Sequence, residues 1–454
     1  MRVLLVRPGR RKQAITLGEF MFAEPIGLEC VYSVLKDTCQ VKILDLMIEG
    51  QDFTKELQDF RPDVVGFTSY CIDVLAVLEL AEAAKKINPG FITLAGGTQA
   101  LLAPESFYNE YIDHIFEYTT KENLLEFFDS LNRGEEIPPI AGVRSRRDNY
   151  LGTGAKGLNE YIIPERSSTA GYRRHYSYFG YKPCAIMQTS MGCSTHCKFC
   201  LRWKIEGPVE QDRPMTEVID QIAGIAEPSI MFYDNNFLYN PRRLEYFCDA
   251  IETRGIRKNF ICYGSARSIA AQPELMQRLG KIGLRAVLVG YESFRDEDLA
   301  SYQKQSTVAV NLEAARILKE AGIDCWASFI LHPDWSAKDF GEFRRCLKQL
   351  KPEISSLSPM TPFPAGLLYR QYQDRLLFPK EAYDQWSFSV VSIRPSQMSL
   401  RRYYLEVMRT NLYVNLCLNN STYLVRKFGW RTMVRLLKGS LKFGWTYTKL
   451  MLKG

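Results

Sequence analysis

Ile186-Met-Gln-Thr-Ser-Met-Gly-Cys193-Ser-Thr-His-Cys197-Lys-Phe-Cys200-Leu-Arg-Trp203 is the stretch on which the fold turns, and its centre is a Cys-x-x-x-Cys-x-x-Cys run. Three thiolates so closely spaced can bind three irons of a cubic 4Fe-4S cluster, because cysteine sulfur is the usual ligand of such irons. The fourth iron then lacks a protein ligand. An open coordination position is what lets a metal bind a substrate rather than only hold a fold, as in catalytic zinc sites. Gly192 allows a sharp turn after the apolar run 185–188, and Phe199 sets an aromatic face among the ligands. The competing readings are a zinc site or cysteines that only pack. Zinc would want a fourth ligand, yet His196 lies between two of the thiols and Cys248, Cys262, Cys325, Cys346 and Cys417 form no close pair.

Downstream of the motif, six strand-like runs (185–189, 229–233, 259–263, 286–290, 325–331 and 355–357) alternate with helical patterns. Such βα repeats predict a partial barrel of six units over 181–372, with its site at the carboxyl ends of the strands. The polar residues after those strands are therefore candidates: Asp234-Asn235-Asn236, Ser265 and Arg267, Glu292-Ser293, and His332-Pro333-Asp334. Each could instead cap a helix, and Arg267 could form a surface ion pair. Cys262 and Cys325, on predicted strands, suit buried packing.

Upstream, residues 1–135 alternate β-rich runs (3–6, 41–45, 64–67, 91–94, 112–116) with helical patterns such as 73–86 and 121–131, which predicts an α/β, doubly wound, Rossmann-like parallel sheet. Ligands of these sheets bind beyond the carboxyl ends of the strands, at Arg7-Pro8, Thr68-Ser69-Tyr70 and Gly96-Gly97-Thr98. Residues 136–180, rich in Arg, Gly, Tyr and Ser, form a predicted linker or cap; His175, Tyr172, Tyr176, Tyr178 and Tyr181 read as exposed there, with a pocket lining as the other option.

The cysteine run resembles the cluster motif of the radical S-adenosylmethionine (SAM) superfamily, in which the open iron chelates SAM and one electron cleaves it to a 5'-deoxyadenosyl radical. The resemblance implies that Cys193, Cys197 and Cys200 hold the cluster and that Phe199 sits against SAM. It implies that Asp234 and Asn235 meet the SAM amino group, that Glu292 and Ser293 contact its ribose or carboxylate, and that Ser265 and Arg267 join them. Residues 1–135 are similar to the cobalamin-binding domain that precedes many such barrels, matching in Met1 to Arg7, Glu24-Pro25-Ile-Gly27-Leu28-Glu29, Asp63-Val-Val-Gly66-Phe67-Thr68-Ser69 and Leu94-Ala-Gly96-Gly97. Thr68, Ser69, Tyr70, Gly96 and Gly97 are its implied cofactor contacts. The Asp-x-His-x-x-Gly motif of other cobalamin proteins is missing and His114 is the only histidine of 1–135, so the cobalt would carry no histidine from that motif. Phe116-Glu-Tyr-Thr-Thr-Lys-Glu122 stands where many relatives have a Gly-Glu-Gly-Glu turn. Met360-Thr-Pro-Phe-Pro-Ala-Gly366 looks like the Pro-rich segment that follows the sixth strand in the family, and further short stretches, among them Phe232-Tyr-Asp-Asn-Asn-Phe237, Gly290-Tyr-Glu-Ser-Phe-Arg-Asp-Glu-Asp-Leu299 and Ala327-Ser-Phe-Ile330, most resemble the bacterial hopanoid C-3 methylase subgroup, over about residues 1–415.

The net charge of +7 is concentrated at one end: no acidic residue follows Glu406, while nine Lys and Arg do. That argues against a nucleic-acid partner for the whole chain. In 423–453 aromatic and aliphatic residues alternate with basic ones, as in a helix lying in an anionic membrane interface; the alternative is a core-packing helix with a solvated basic face. Gly429, Gly439 and Gly444 predict two short helices within the region 373–454. Twelve cysteines without a disulfide-like framework, no signal peptide and no spanning run predict a cytoplasmic protein, peripheral on the inner membrane surface if the tail docks there. With the basic tail, the resemblance implies a cobalamin-dependent radical SAM methyltransferase acting on an unactivated carbon of a membrane lipid, served by a reductant such as flavodoxin or ferredoxin. The alternatives are a non-methylating radical SAM enzyme of a small natural product and a non-catalytic iron-sulfur or corrinoid carrier.

Overall fold

A computed structural model describes residues 1–10, 21–419 and 421–453. The chain divides into two compact units: Pro25–His175 with the opening strand and Phe378–Ser387, and Tyr176–Leu377 with Phe388 onward and residues 21–24.

In the first unit, Arg2–Arg7, Gln40–Asp45, Val64–Thr68, Ile92–Gly96 and His114–Phe116 pair in parallel, in the order second, first, third, fourth, fifth. This is the expected doubly wound sheet. Its runs are apolar on both faces, as strands covered on both sides must be: Val3, Leu4, Val6, Val64 and Val65 are all fully buried. Helix Val74–Ile87 buries Val74, Val77, Ala81 and Ala84, one helical stripe, against that sheet. Helix Lys121–Arg133 begins at a Thr120/Asn123 capping box and ends at Gly134 with φ +66°. The pairing aligns Arg7 with Asp45, Val6 with Phe67 and Thr68 with Gly96, so the strands finish along one edge. A sixth strand, Val143–Ser145, adds antiparallel to His114–Phe116, inside the segment predicted as linker.

The second unit is built on six parallel strands in chain order: Cys184–Met187, Ser229–Phe232, Asn259–Gly264, Leu284–Glu292, Asp324–Leu331 and Ile354–Pro359. The helices Pro241–Thr253, Pro273–Ile282, Val308–Glu320 and Ala337–Leu350 connect successive strands, giving the predicted partial (β/α)6 barrel. Met187, Ile230, Phe232, Cys262, Val287 and Ala327 share its core, where Cys262 and Cys325 are simply buried. The fourth and fifth strands slip register between Gly290 and Glu292, and that irregularity re-aims Glu292 at the carboxyl edge.

Two expectations change here. Tyr176 and Tyr178 are buried rather than exposed, because Ser177–Tyr178 pairs with Met21–Phe22 and the Tyr178 hydroxyl meets that of Tyr263. The tail is one short helix, Ser421–Phe428, and one long one, Trp430–Lys453, broken only at Gly429 with φ +79°. Gly439 and Gly444 stay helical because Phe443, Tyr447, Leu450 and Met451 between and beyond them pack into the barrel's core cluster.

Candidate active site

The cysteine loop leaves the first barrel strand and is pinned at both ends. Ser190–Met191 pairs with Gln211–Asp212, and the Gly192 backbone sits at φ +87° so close to Val209 that a Cβ would lie 2.0 Å from the Val209 carbonyl oxygen. Only glycine fits there. Beyond it, Cys193 N donates to Gly207 O, the Ser194 amide and hydroxyl both donate to Glu210, and Trp203 Nε1 donates to Cys197 O. Cys197 is buried and Cys193 and Cys200 are partly exposed. His196, in the left-handed region at φ +51°, bonds Pro208 O at 2.7 Å and sets its ring against that of Trp203.

Burial pushes the Cys197 thiol up to about 12 and also raises Cys200, so ionisation needs positive charge nearby. The loop supplies some: Lys304 pulls both thiols down, and the Arg202 amide donates to Cys200 Sγ at 3.4 Å. Lys304 is itself ion-paired with Glu292 at 3.0 Å and keeps its proton, because that carboxylate and the two sulfurs outweigh its burial. Glu292 sits at φ +64°, an uncommon conformation for a residue with a side chain, and Gly290 leaves the space its carboxylate occupies, 2.2 Å from where a Cβ would lie. Phe199 packs edge-on to Tyr302 at 5.6 Å, with Lys304 Nζ over its ring, and Tyr302 stacks on His332.

The remaining predicted contacts mostly brace the loop. Asp234 is fully buried and accepts bonds from the amides and hydroxyls of Thr189 and Ser190, so its carboxylate fixes the root of the cysteine loop. Asn235 bonds Gly192 O, Glu206 and Arg202. Ser265 caps helix Ala266–Ala270, and Ser293 donates to Asp298 at 2.6 Å, so for both the capping or bracing alternative describes what the side chain does. Arg267 is exposed and donates to Gln305. Sequence reasoning missed Lys304, Arg202, Glu206 and Tyr302. Arg202 stacks its guanidinium 4.1 Å over Tyr233 and reaches Tyr233 O, Asn235 and Glu206, joining the loop to the second strand.

At the carboxyl edge of the first unit's sheet, the order second-first-third makes a switch point between Arg2–Arg7 and Val64–Thr68. Arg7, paired with Asp45, and Thr68 border it. Ser69 is buried and donates to Gly96 O, and Tyr70 is more than half exposed. Gly97, at φ +91°, lets the next loop close onto Thr68 and Ser69, whose atoms would lie 2.8–2.9 Å from a Cβ. Gly96 is not sterically required. His114 begins the fifth strand, at the opposite edge, with Nδ1 2.8 Å from Ser145 Oγ and its ring on Phe127.

Residues 187–347 match the radical SAM superfamily, and residues 21–125 match the B12 binding domain. The chain belongs to the cobalamin-binding radical SAM superfamily. It is 26% identical over 398 residues to the hopanoid C-3 methylase of Methylococcus capsulatus, an alignment covering 86% of this chain and 76% of that one. Its fold is like that of the cobalamin-dependent S-adenosylmethionine radical enzyme OxsB, solved with aqua-cobalamin and SAM (TM-score 0.72, 14% identity, 99% of this chain and 72% of that one). It is also like the radical SAM methyltransferase TsrM of Kitasatospora setae (TM-score 0.66, 17% identity, 83% and 77%).

As a member, this radical SAM protein is an enzyme whose cofactors are a 4Fe-4S cluster, SAM and cobalamin. The residues fit these groups. Among the described residues no three metal-binding side chains converge on a single ion. A cubane with one thiolate per iron needs three thiols near one another with cations beside them, and Cys193, Cys197 and Cys200 lie close enough to feel one another's charge, with Lys304 and Arg202 adjacent. For the corrinoid, the switch-point loops provide a backbone-lined edge without a histidine.

Proposed function

We propose that this enzyme is a cobalamin-dependent radical SAM C-methyltransferase that methylates an unactivated sp3 carbon of a membrane lipid, a polycyclic triterpenoid of the hopanoid class. The observation that carries the substrate class is the similarity to a hopanoid C-3 methylase along 86% of the chain, through both the corrinoid-binding and barrel units. When bound, the three groups supply one-electron cleavage of SAM, hydrogen abstraction from the substrate carbon and a methyl donor for the resulting carbon radical.

The chain's own residues prepare that chemistry. Cys193, Cys197 and Cys200 would ligate the cluster, with Gly192 and Asp234 holding their loop. Lys304 and Arg202 offset its negative charge, and Lys304 holds Glu292 at the end of the fourth strand. Phe199, Tyr302 and His332 form an aromatic wall beside the loop that keeps water away. Thr68, Ser69, Tyr70 and Gly97 would border the corrinoid. An external one-electron reductant, of the flavodoxin or ferredoxin kind, is required. A lipid substrate also calls for a membrane contact, and the basic tail would provide it; no helix among the described residues is long and apolar enough to cross a membrane.

Anaerobic protein loaded with cobalamin, given SAM, a strong reductant and a hopanoid, should yield a singly methylated lipid and 5'-deoxyadenosine in matched amounts. Deoxyadenosine with no methylated lipid would overturn the assignment of reaction, and methylation of a non-lipid acceptor alone would overturn the substrate class.

A further inference from the structure

Helix Trp430–Lys453 presents three chemically different faces. At 100° per residue, Phe443, Tyr447, Leu450 and Met451 lie on one side, and all four join the core cluster of the barrel unit. Tyr447 is completely buried, stacks edge-on to Tyr404 of helix Leu400–Tyr413, and donates to Ser389 O at 2.7 Å. The short helix before it is anchored as well: Lys427 pairs with Asp324, Tyr423 donates to the same carboxylate, and Phe428 packs on Tyr181 and Trp326. The tail is thus fixed to the barrel.

On a second side Trp430, Val434, Leu437, Leu441, Trp445 and Leu452 are 40–71% exposed. At the helical repeat these six positions fall within about 80° of arc, a continuous apolar ridge. Arg431, Lys438, Lys442 and Lys449, all exposed, fall together along one flank of it. Arg431 and Lys449 lie over the rings of Trp430 and Trp445. No acidic residue occurs after Glu406. A ridge this long, about 33 Å at 1.5 Å per residue, is larger than the patches that monomers leave bare without use.

We propose that this ridge docks the enzyme on an anionic lipid bilayer, the helix lying in the plane of the interface with its aliphatic and tryptophan side chains among the acyl chains and its basic flank at the headgroups. The charge selects the partner. A second copy of the chain would bring like-charged flanks together, which is repulsive, whereas anionic headgroups attract every basic residue in the row. Tryptophans near both ends and basic side chains along one edge suit a surface with an apolar layer beneath a negative one. The same chemistry recurs on the helix that the tail leans on, where exposed Leu412 and Leu416 lie with Arg344, Arg345 and Arg409 around a shallow groove. The inference deepens the proposed lipid methylation and takes from it the reason for docking, but the two fail separately.

Full-length protein should float with phosphatidylcholine vesicles containing phosphatidylglycerol, bind pure phosphatidylcholine vesicles far more weakly, and be released as salt rises. Leu437→Gln/Leu441→Gln/Trp445→Gln should lower vesicle affinity at least tenfold with circular dichroism and iron content unchanged. Lys438→Gln/Lys449→Gln should lower it about 30-fold on anionic vesicles, from about 1 kcal/mol per basic residue and about 1.4 kcal/mol per tenfold. No flotation on anionic vesicles, affinity indifferent to charge, or a dimer in solution that the ridge variant dissociates would each overturn the proposal. Methylation of detergent-dispersed lipid by a protein that ignores vesicles would sink the docking and leave the reaction standing; vesicle binding without methylation would do the reverse.

Discussion

A thiolate-bound cluster carries negative charge and is steadied by a buried cation beside it, and Lys304 is such a cation. Its charge reaches Cys197 and Cys200, and its ion pair with Glu292 fixes it there. Lys304→Met would leave the Glu292 carboxylate uncompensated near the cluster. The reconstituted cluster of that variant should then have a lower reduction potential, by roughly 50 mV for about 1 kcal/mol of lost stabilisation. Spectroelectrochemistry would show it, and an unchanged potential would remove Lys304 from the site. Cys197→Ala should abolish 5'-deoxyadenosine formation outright; retained formation would refute the cluster assignment. His114 gives a different test. Burial lowers its pKa to about 4 from a usual 6.5, with Asp113 opposing the shift. Its folded pKa is depressed, so the unfolded chain binds the extra proton between those values and stability falls as pH drops from about 6.5 to about 4, by up to about 3 kcal/mol. His114→Gln should flatten that part of a denaturation profile and leave the corrinoid spectrum unchanged; a changed spectrum would mean that His114 reaches the cobalt.

At the scale of elements, the cysteine loop shows what a sequence can and cannot carry. Cys193, Cys197 and Cys200 announce themselves because cluster chemistry needs that residue type at close spacing, and Gly192 because a turn after a strand favours glycine. The βα alternation was equally legible, since buried parallel strands must be apolar runs and their helices periodic. Asp234 was harder. The local sequence after the second strand does not say what a carboxylate there meets, and only the tertiary placement of Thr189 and Ser190 shows that it holds the neighbouring loop. Lys304 sits in Tyr302-Gln-Lys-Gln305, flanked by two residues in the left-handed region, and nothing in that run marks a lysine that returns to the cluster loop. Strand Val143–Ser145 is three residues long in an Arg-rich stretch, too short for periodicity to show. The loop itself yields a prediction. In Gly192→Ala the new Cβ would meet the Val209 carbonyl at 2.0 Å in a backbone region costing about 1–3 kcal/mol for a side chain. The barrel core lies elsewhere, so the variant should fold with native circular dichroism but take up little iron. Full cluster loading would show that the loop tolerates a different path.

Over the whole molecule, two compact units each carry their own core: one around Leu4, Val65, Val77 and Ile115, the other around Met187, Ile230, Val287 and Phe343. The expected ligands divide the same way, the corrinoid to the sheet of the first unit and the cluster to the barrel. Ligand binding stabilises only the folded state that it contacts, by about 2.7 kcal/mol at a hundredfold excess over Kd. Units of this size shift by about 2–4 °C per kcal/mol, so saturating cobalamin should raise one calorimetric transition by roughly 5–10 °C. Cluster reconstitution should instead move the other transition, and Gly192→Ala should erase that second shift while sparing the first. Calorimetry of the apoprotein, with cobalamin alone and with iron and sulfide alone, reads all of this without turnover. Two transitions that answer separately would assign each group to its unit; a transition of the first unit that ignores cobalamin would deny that unit its cofactor, and with it the methyl donor on which the proposed reaction depends.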